Sequence, residues 1–308
     1  MARQLATATA TALLVLLAAA LAAAGPEADA LRAFRAALRR PPPVLDEWLD
    51  WPEPCAGGGH RSPWYGVTCD ELTGRVSALG LAHLALGGPM PDLSLLAPLS
   101  SLSELDLSSN SFTGVFPDVS VLAKLDLLYL AHNNLSGEIP DGAFAKTPRL
   151  RWLSLANNEF TGPIPSSIAT TPMLKELSLS NNHFQGRLPD FKQNDLQVVD
   201  VSYNNLSGPI PSSIATAPML NWLSLSNNHF QGHLPNFEQN NLWFVDVSYN
   251  NLSGPIPIVL RRFDASWFKV ATHASAARRS SLSATRHLPH RHLQRHQCRM
   301  QDKNIGGT

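Results

Sequence analysis

Leu150-Arg151-Trp152-Leu153-Ser154-Leu155-Ala156-Asn157-Asn158-Glu159-Phe160-Thr161-Gly162-Pro163-Ile164-Pro165 is one instance of a phrase that recurs along the middle of the chain. Its general form is Leu-x-x-Leu-x-Leu-x-x-Asn-x-Leu/Phe-x-Gly-x-Ile-Pro, returning every 22 to 26 residues from about Val76 to Pro257. Asn110, Asn133, Asn158, Asn182, Asn204, Asn228 and Asn250 mark the register, and Leu84 takes that slot in a degenerate first unit. A fixed period of this length predicts a solenoid. One such unit cannot bury its own apolar face, so the units must stack.

Each Leu-x-x-Leu-x-Leu segment predicts a short strand, since Leu105 and Leu107, or Leu153 and Leu155, alternate with their neighbours at period two. The leucines turn into the stack and the residues between them turn out. Successive strands then pair in parallel into one sheet. The Asn that follows can donate to carbonyls of the neighbouring turn and accept as well, which a buried backbone turn requires. Leu135, Leu206 and Leu252 fill the next inward slot in some units; Phe112, Phe160, Phe184 and Phe230 fill it in others.

The ending Gly-x-Ile-Pro, at Gly137–Pro140, Gly162–Pro165, Gly208–Pro211 and Gly254–Pro257, resembles the plant extracellular leucine-rich repeat. That repeat adds a second short strand to each unit, where an edge position tolerates proline. Trp64-Tyr-Gly-Val-Thr-Cys-Asp70 resembles the N-terminal cap of plant leucine-rich repeat receptors. A cap keeps the first repeat from exposing its apolar core, and a Cys55–Cys69 disulfide would close it. The expected fold class is α/β. It is a leucine-rich repeat solenoid with a parallel β-sheet on the concave face, a helical disulfide-bonded N-terminal cap and a disordered C-terminal tail. The expected divisions are a signal peptide over 1–24, the cap over 25–75, about eight repeats over 76–258, and a truncated cap with a basic tail over 259–308.

Two blocks within the array, 163–208 and 209–254, align without a gap and share 37 of 46 positions. Each holds two repeats, so the solenoid has grown by tandem duplication. Among the nine differences, Glu176 stands against Trp222, Gln197 against Trp243 and Val198 against Phe244.

At the amino end, Arg3 precedes the apolar run Leu13–Ala24, and the small residues Ala22–Gly25 suit cleavage of a secretory signal. That run is about half of the ~20 residues a membrane span needs. Leu31, Phe34 and Leu38 then share one face of a predicted helix starting at Pro26, which Pro41–Pro43 stops. At the carboxyl end, Phe263-Asp-Ala-Ser-Trp-Phe268 resembles the start of a closing cap whose cysteine pair does not follow. The last repeat is therefore expected to be the weak end, covered only by Val259, Leu260, Phe263, Trp267 and Phe268. From Arg261 onward there are 10 basic and 2 acidic side chains, against 14 and 22 over residues 1–260. A basic, Ser- and His-rich tail on an acidic body reads as disordered. Metal binding by His287, His290, His292 and His296, or pairing through Cys298, has little support in the surrounding residues.

From Gly137-Glu-Ile-Pro-Asp-Gly-Ala-Phe144 through Leu188-Pro-Asp-Phe191 to Val199-Asp-Val-Ser-Tyr-Asn-Asn-Leu206, the array resembles the ectodomain of plant pollen receptor-like kinases. The resemblance covers roughly residues 25–268 and implies an extracellular module that senses a secreted peptide or small protein, with a co-receptor as a further partner. The family's membrane segment and kinase are absent from these residues: there is no Gly-rich nucleotide loop, His-Arg-Asp or Asp-Phe-Gly. Membrane association would need a family-type anchor that this sequence lacks. Localisation is expected to be the secretory pathway and apoplast. No catalytic, cofactor, metal or nucleic-acid site is expected. The alternatives are an apoplastic inhibitor of microbial cell-wall hydrolases and a non-functional truncated product.

The outward strand positions supply the expected ligand face. Tyr129, Trp152, Trp222, Trp243 and Phe244 are its aromatic anchors, and Asp200 and Asp246 orient basic groups of the ligand, since interfaces favour Trp and Tyr at their centres. The other reading of these aromatics is packing between repeats or against the C-terminal segment. Asp106, Asp200 and Asp246 otherwise read as solvated strand residues. Asn134, Asn205 and Asn251 each begin an Asn-Leu-Ser acceptor for N-linked glycan, at one angular position in three repeats.

Overall fold

The computed structural model describes residues 25–55, 62–239 and 241–269. The expected signal peptide and basic tail, with the four histidines and Cys298, lie outside the described residues. The chain opens with helix α1 (Pro26–Ala37), which has Pro at its start and Glu27 and Asp29 in its first turn. Both features suit a helix N-terminus, where a donor is spare and negative charge is favoured. Leu31 and Phe34 are fully buried beneath it. A 3₁₀ turn (Pro43–Asp46) and a one-turn helix α2 (Glu47–Asp50) follow. Trp48 from α2 stacks on Trp64 at 5.7 Å, and its indole N–H donates to the Tyr65 carbonyl at 3.0 Å. The Cys55–Cys69 disulfide is formed; a loop of about 15 residues closed in this way stabilises by about 3 kcal/mol in the chain-entropy model. Glu27, nearly buried, accepts from Arg75 Nε at 2.7 Å and from the Val76 amide at 3.1 Å. This ties α1 to the first repeat.

Among the described residues the solenoid carries one nine-stranded sheet. It runs β1 (Val67–Cys69), β2 (Val76–Gly80), β4 (Glu104–Asp106), β6 (Leu127–Tyr129), β8 (Trp152–Ser154), β10 (Glu176–Ser178), β12 (Val198–Asp200), β14 (Trp222–Ser224) and β16 (Phe244–Asp246). Only β1 is antiparallel, to β2; the other pairs are parallel. The second strands form two four-stranded sheets. One holds β3 (Gly87–Pro89), β5 (Ser111–Gly114), β7 (Asn134–Glu138) and β9 (Glu159–Thr161). The other holds β11 (Gln185–Arg187), β13 (Asn205–Gly208), β15 (His229–His233) and β17 (Asn251–Ser253). Leu105, Leu177, Leu223 and Phe112, Phe160, Phe184, Phe230 fill the space between the sheets, all fully buried.

The asparagine column joins these layers. Asn158 Nδ2 donates to carbonyls of its own repeat, Leu155 and Ala156, and to Leu130 of the repeat before, while its Oδ1 accepts from the Leu135 amide. Asn110, Asn133, Asn182, Asn204, Asn228 and Asn250 repeat the same pattern of donation to both repeats. The residue before each of them has φ between 54° and 56°, a conformation that costs a non-glycine side chain energy. Tyr203 and Tyr249 hold it as well as the more tolerant Asn157, Asn181 and Asn227.

The duplicated blocks contain short helices α3 (Ser166–Thr170) and α4 (Ser212–Thr216). In each copy a buried glutamine from the following repeat satisfies the carbonyls at the helix end. Gln193 donates to Ile168 and Thr171, and Gln239 to Ile214 and Ala217. Such carbonyls have no partner within the helix itself.

At the far end, two 3₁₀ turns (Ile258–Arg262 and Ala265–Phe268) cover the last repeat. Leu260 is fully buried, and the Val247 amide donates to the Trp267 carbonyl at 2.9 Å. The Tyr249 amide bonds Lys269 in the same manner. Residues 267–269 thus extend the backbone bonding seen between successive repeats.

Replacing Asn182 by Ala would strand the Phe160 amide and release carbonyls of Leu155 and Leu179. Urea denaturation is expected to show a loss of about 3 kcal/mol, because buried unpaired groups cost ~1–3 kcal/mol each. A loss below about 1 kcal/mol would show that the ladder is replaceable.

Candidate functional site

Strand register assembles two columns on the outward face of the long sheet. The first runs Glu104, Leu127, Trp152, Glu176, Val198, Trp222, Phe244. The other runs Asp106, Tyr129, Ser154, Ser178, Asp200, Ser224, Asp246. Neighbours in a column stand about 4.8 Å apart, as paired strands must.

Trp222, Trp243 and Phe244 come together. Trp222 stacks on Phe244 with centroids 3.7 Å apart and planes 8° from parallel, and meets Trp243 edge-on at 4.8 Å. Phe244 continues to Trp267 at 4.9 Å, and Trp267 to Phe263 at 5.7 Å. The ladder therefore runs from the sheet into the C-terminal segment. Packing between repeats accounts for Trp222, which is 5% exposed, and Phe244 carries the packing on to that segment. Trp243 is 55% exposed, its indole N–H donating to Asn221 Oδ1 at 3.2 Å. Trp152, Phe244 and Asp246 are half-buried, and Tyr203 and Tyr249 are exposed beside them.

Three expected contact residues are corrected by their burial. Tyr129 and Asp200 are each 3% exposed, and Trp222 is little more. Asp200 Oδ1 is occupied by the Ser202 hydroxyl at 2.6 Å and its amide at 3.0 Å, so it is not free to orient a ligand. Asp106 is buried too, with Ser108 in the same role; neither aspartate is a solvated strand residue. Neighbouring strands cover these side chains, a fact that alternation within one strand does not report. Burial pushes both carboxyls above their usual range, against the opposing serine hydrogen bonds. Burial also drives the Tyr129 phenol well up, reinforced by Glu176, Asp106 and Glu104. Tyr129 Oη, Trp222 Nε1 and Arg151 Nε are buried without a hydrogen-bond partner.

The face has two characters. Lys175, Glu176 and Gln197 in the first duplicated copy stand where Asn221, Trp222 and Trp243 stand in the second. The change falls across the duplication, where Lys175-Glu176 became Asn221-Trp222 or the reverse. Sequence reasoning missed Asn221 as the support of Trp243; its place opposite Lys175 in the aligned copies was the available signal. Asn134, Asn205 and Asn251 are all exposed, at the starts of β7, β13 and β17. Among the described residues no cluster of His, Cys, Asp and Glu could hold a metal ion, and no helix is long and apolar enough to cross a membrane.

Comparisons with known proteins agree with this geometry. Family models described as leucine rich repeat match residues 100–160, 125–184, 195–217 and 219–240, and one described as leucine rich repeat N-terminal domain matches 24–70. Pollen receptor-like kinase 2 of Arabidopsis thaliana is 38% identical over 125 residues, covering 41% of this chain and 18% of that protein. The chain thus spans under a quarter of that relative's length. Among solved structures, a pollen receptor kinase 3 aligns with a TM-score of 0.58 and 28% identity, over 75% of this chain and 98% of that one. The Arabidopsis receptor kinase HAESA, in complex with the peptide hormone IDA and the co-receptor SERK1, aligns with a TM-score of 0.51 and 28% identity, over 75% and 47%. A plant ice-binding protein aligns with a TM-score of 0.58 and 26% identity, over 80% and 94%.

Changing Asp200 to Asn keeps an acceptor oxygen for Ser202 but removes the charge. Because the folded-state pKa is raised, the wild-type contribution is fully present below the unfolded value near 3.8 and lost as pH rises through the folded one. Asp200→Asn is therefore expected to gain stability relative to wild type between pH 4 and pH 7. Parallel denaturation curves at the two pH values measure it.

Proposed function

Starting from a leucine-rich repeat chain that resembles the ectodomains of plant receptors and pollen receptor-like kinases, we propose that it binds an extracellular peptide or small protein on its long sheet. The observation that carries this reading is the exposed aromatic surface around Trp243. A water-facing sheet has no folding need for an indole more than half exposed, whereas binding surfaces gain much of their energy from such residues. Trp152, Trp243, Phe244 and Asp246 make contact in this reading, with Tyr203 and Tyr249 beside them. Trp222, stacked on Phe244 and edge-on to Trp243, supports these rings from beneath. Relatives of this fold whose structures hold a peptide hormone and a co-receptor support the ligand class and a co-receptor as second partner. Secretion into the apoplast, with glycans at Asn134, Asn205 and Asn251, completes the proposal. Sugars there would cover the second sheets and leave the long sheet open.

Two measurements test it. A peptide display library panned on the purified full chain should yield binders that lose about 2 kcal/mol, roughly thirtyfold in affinity, on Trp243→Ala. Binders that all ignore this change and Trp152→Ala would move the site to the loop edges. For the glycans, chain secreted from plant cells should lose mass on glycosidase treatment, and Asn205→Gln should remove one increment. An unchanged mass would refute occupancy.

A further inference from the structure

Gly25 precedes α1 in an extended conformation, and its backbone nitrogen donates to Glu53 Oε1. Both Glu53 oxygens lie 3.2 Å from where a Cβ at position 25 would stand. A Cβ there would crowd the carboxylate by a few tenths of an ångström, so glycine leaves it the freer approach. Glu53 has no basic partner among the described residues. Among the described residues the nearby cation is Arg32, engaged by the carbonyls of Trp48, Trp51 and Pro52, with Asp29 at 3.9 Å. On α1, Glu27 is held by Arg75 and the Val76 amide. Asp29 faces the same turn through its amide, which donates to the Gly25 carbonyl at 3.1 Å. Glu53 is the only titratable group of the adjoining segment 51–55, whose Cys55 is in the disulfide.

A carboxylate offers about four acceptor positions, and a peptide N–H uses one. An α-ammonium would present three donors and a full charge. Directly upstream stands Ala22-Ala23-Ala24, with the small residues that a signal-cleaving endopeptidase requires. We propose that the Ala24–Gly25 bond is the processing site and that Glu53 is the built-in counter-ion of the amino terminus created there. Water adds to the Ala24 carbonyl carbon and the C–N bond breaks. Ala24 leaves as a carboxylate, and the Gly25 amine takes up a proton. A cation at a helix N-terminus is opposed by the helix dipole. Glu53 offsets that repulsion and fastens the first residue to the disulfide loop, where a chain end would otherwise fray.

The full chain, passed through a plant secretory pathway, provides the test. N-terminal sequencing should begin at Gly25. The α-amine should titrate above the ordinary range of ~7.7–8.0 in the native protein and return to it in urea. In Glu53→Gln its acylation at pH 7 should run about tenfold faster than in wild type, as a shift of about one pKa unit implies. A first residue other than Gly25 would overturn the processing site. A native α-amine that titrates no higher than in urea would overturn the role of Glu53, whether or not the variant folds.

Discussion

The buried asparagine amide is the constraint on which the rest of this structure depends. Each repeat must turn sharply after its strand, and the turn leaves peptide groups in an apolar interior. One side chain satisfies carbonyls of two consecutive repeats and one amide of the earlier repeat. Covalent neighbours and stacking neighbours are thereby fixed in one register. The backbone just before it pays in strain, adopting a left-handed conformation even where the residue is His132, Tyr203 or Tyr249. Such strain persists only where surrounding bonds over-determine it, and the ladder supplies those bonds.

The solenoid, its parallel sheet and the paired cysteines were legible because they follow from periodicity and from residue types with few alternatives. The ligand face was legible only as a set of directions. Alternation places Tyr129, Asp200 and Trp222 on the outward side, but their burial depends on neighbours 20 or more residues away. Ser178 and Ser224 flank Asp200 in the strand register, and Phe244 lies flat on Trp222. The apolar residues of the C-terminal segment were read as the cover of the last repeat, and the ring of Trp267 does lie beside Phe244. What residue type does not announce is the backbone part, in which the Trp267 carbonyl accepts from the Val247 amide.

The duplication shows how a binding surface is retuned without disturbing a fold. Inward positions are alike in the two copies: Leu177 matches Leu223 and Phe184 matches Phe230, all fully buried. The divergence that matters lies on the outward face, where charged and amide side chains in one copy stand opposite aromatics in the other. A solenoid permits this because each unit answers only to its neighbours. The resemblance to both receptor ectodomains and an ice-binding protein fits the same principle, in which the fold is a frame and the face decides the partner.

The near-identity of the two blocks also sets a problem for the nascent chain. A strand from one copy meets almost the same inward surface in the other, so stacking 46 residues out of step is a nearby trap of the kind repeat proteins encounter. What separates the right assembly from the slipped one is the aromatic ladder. Phe244 lies stacked on Trp222 and tilted against Trp267, whereas Val198, its counterpart, offers no ring. The residues that vary between the copies therefore serve as an address, telling each repeat where along the array it belongs.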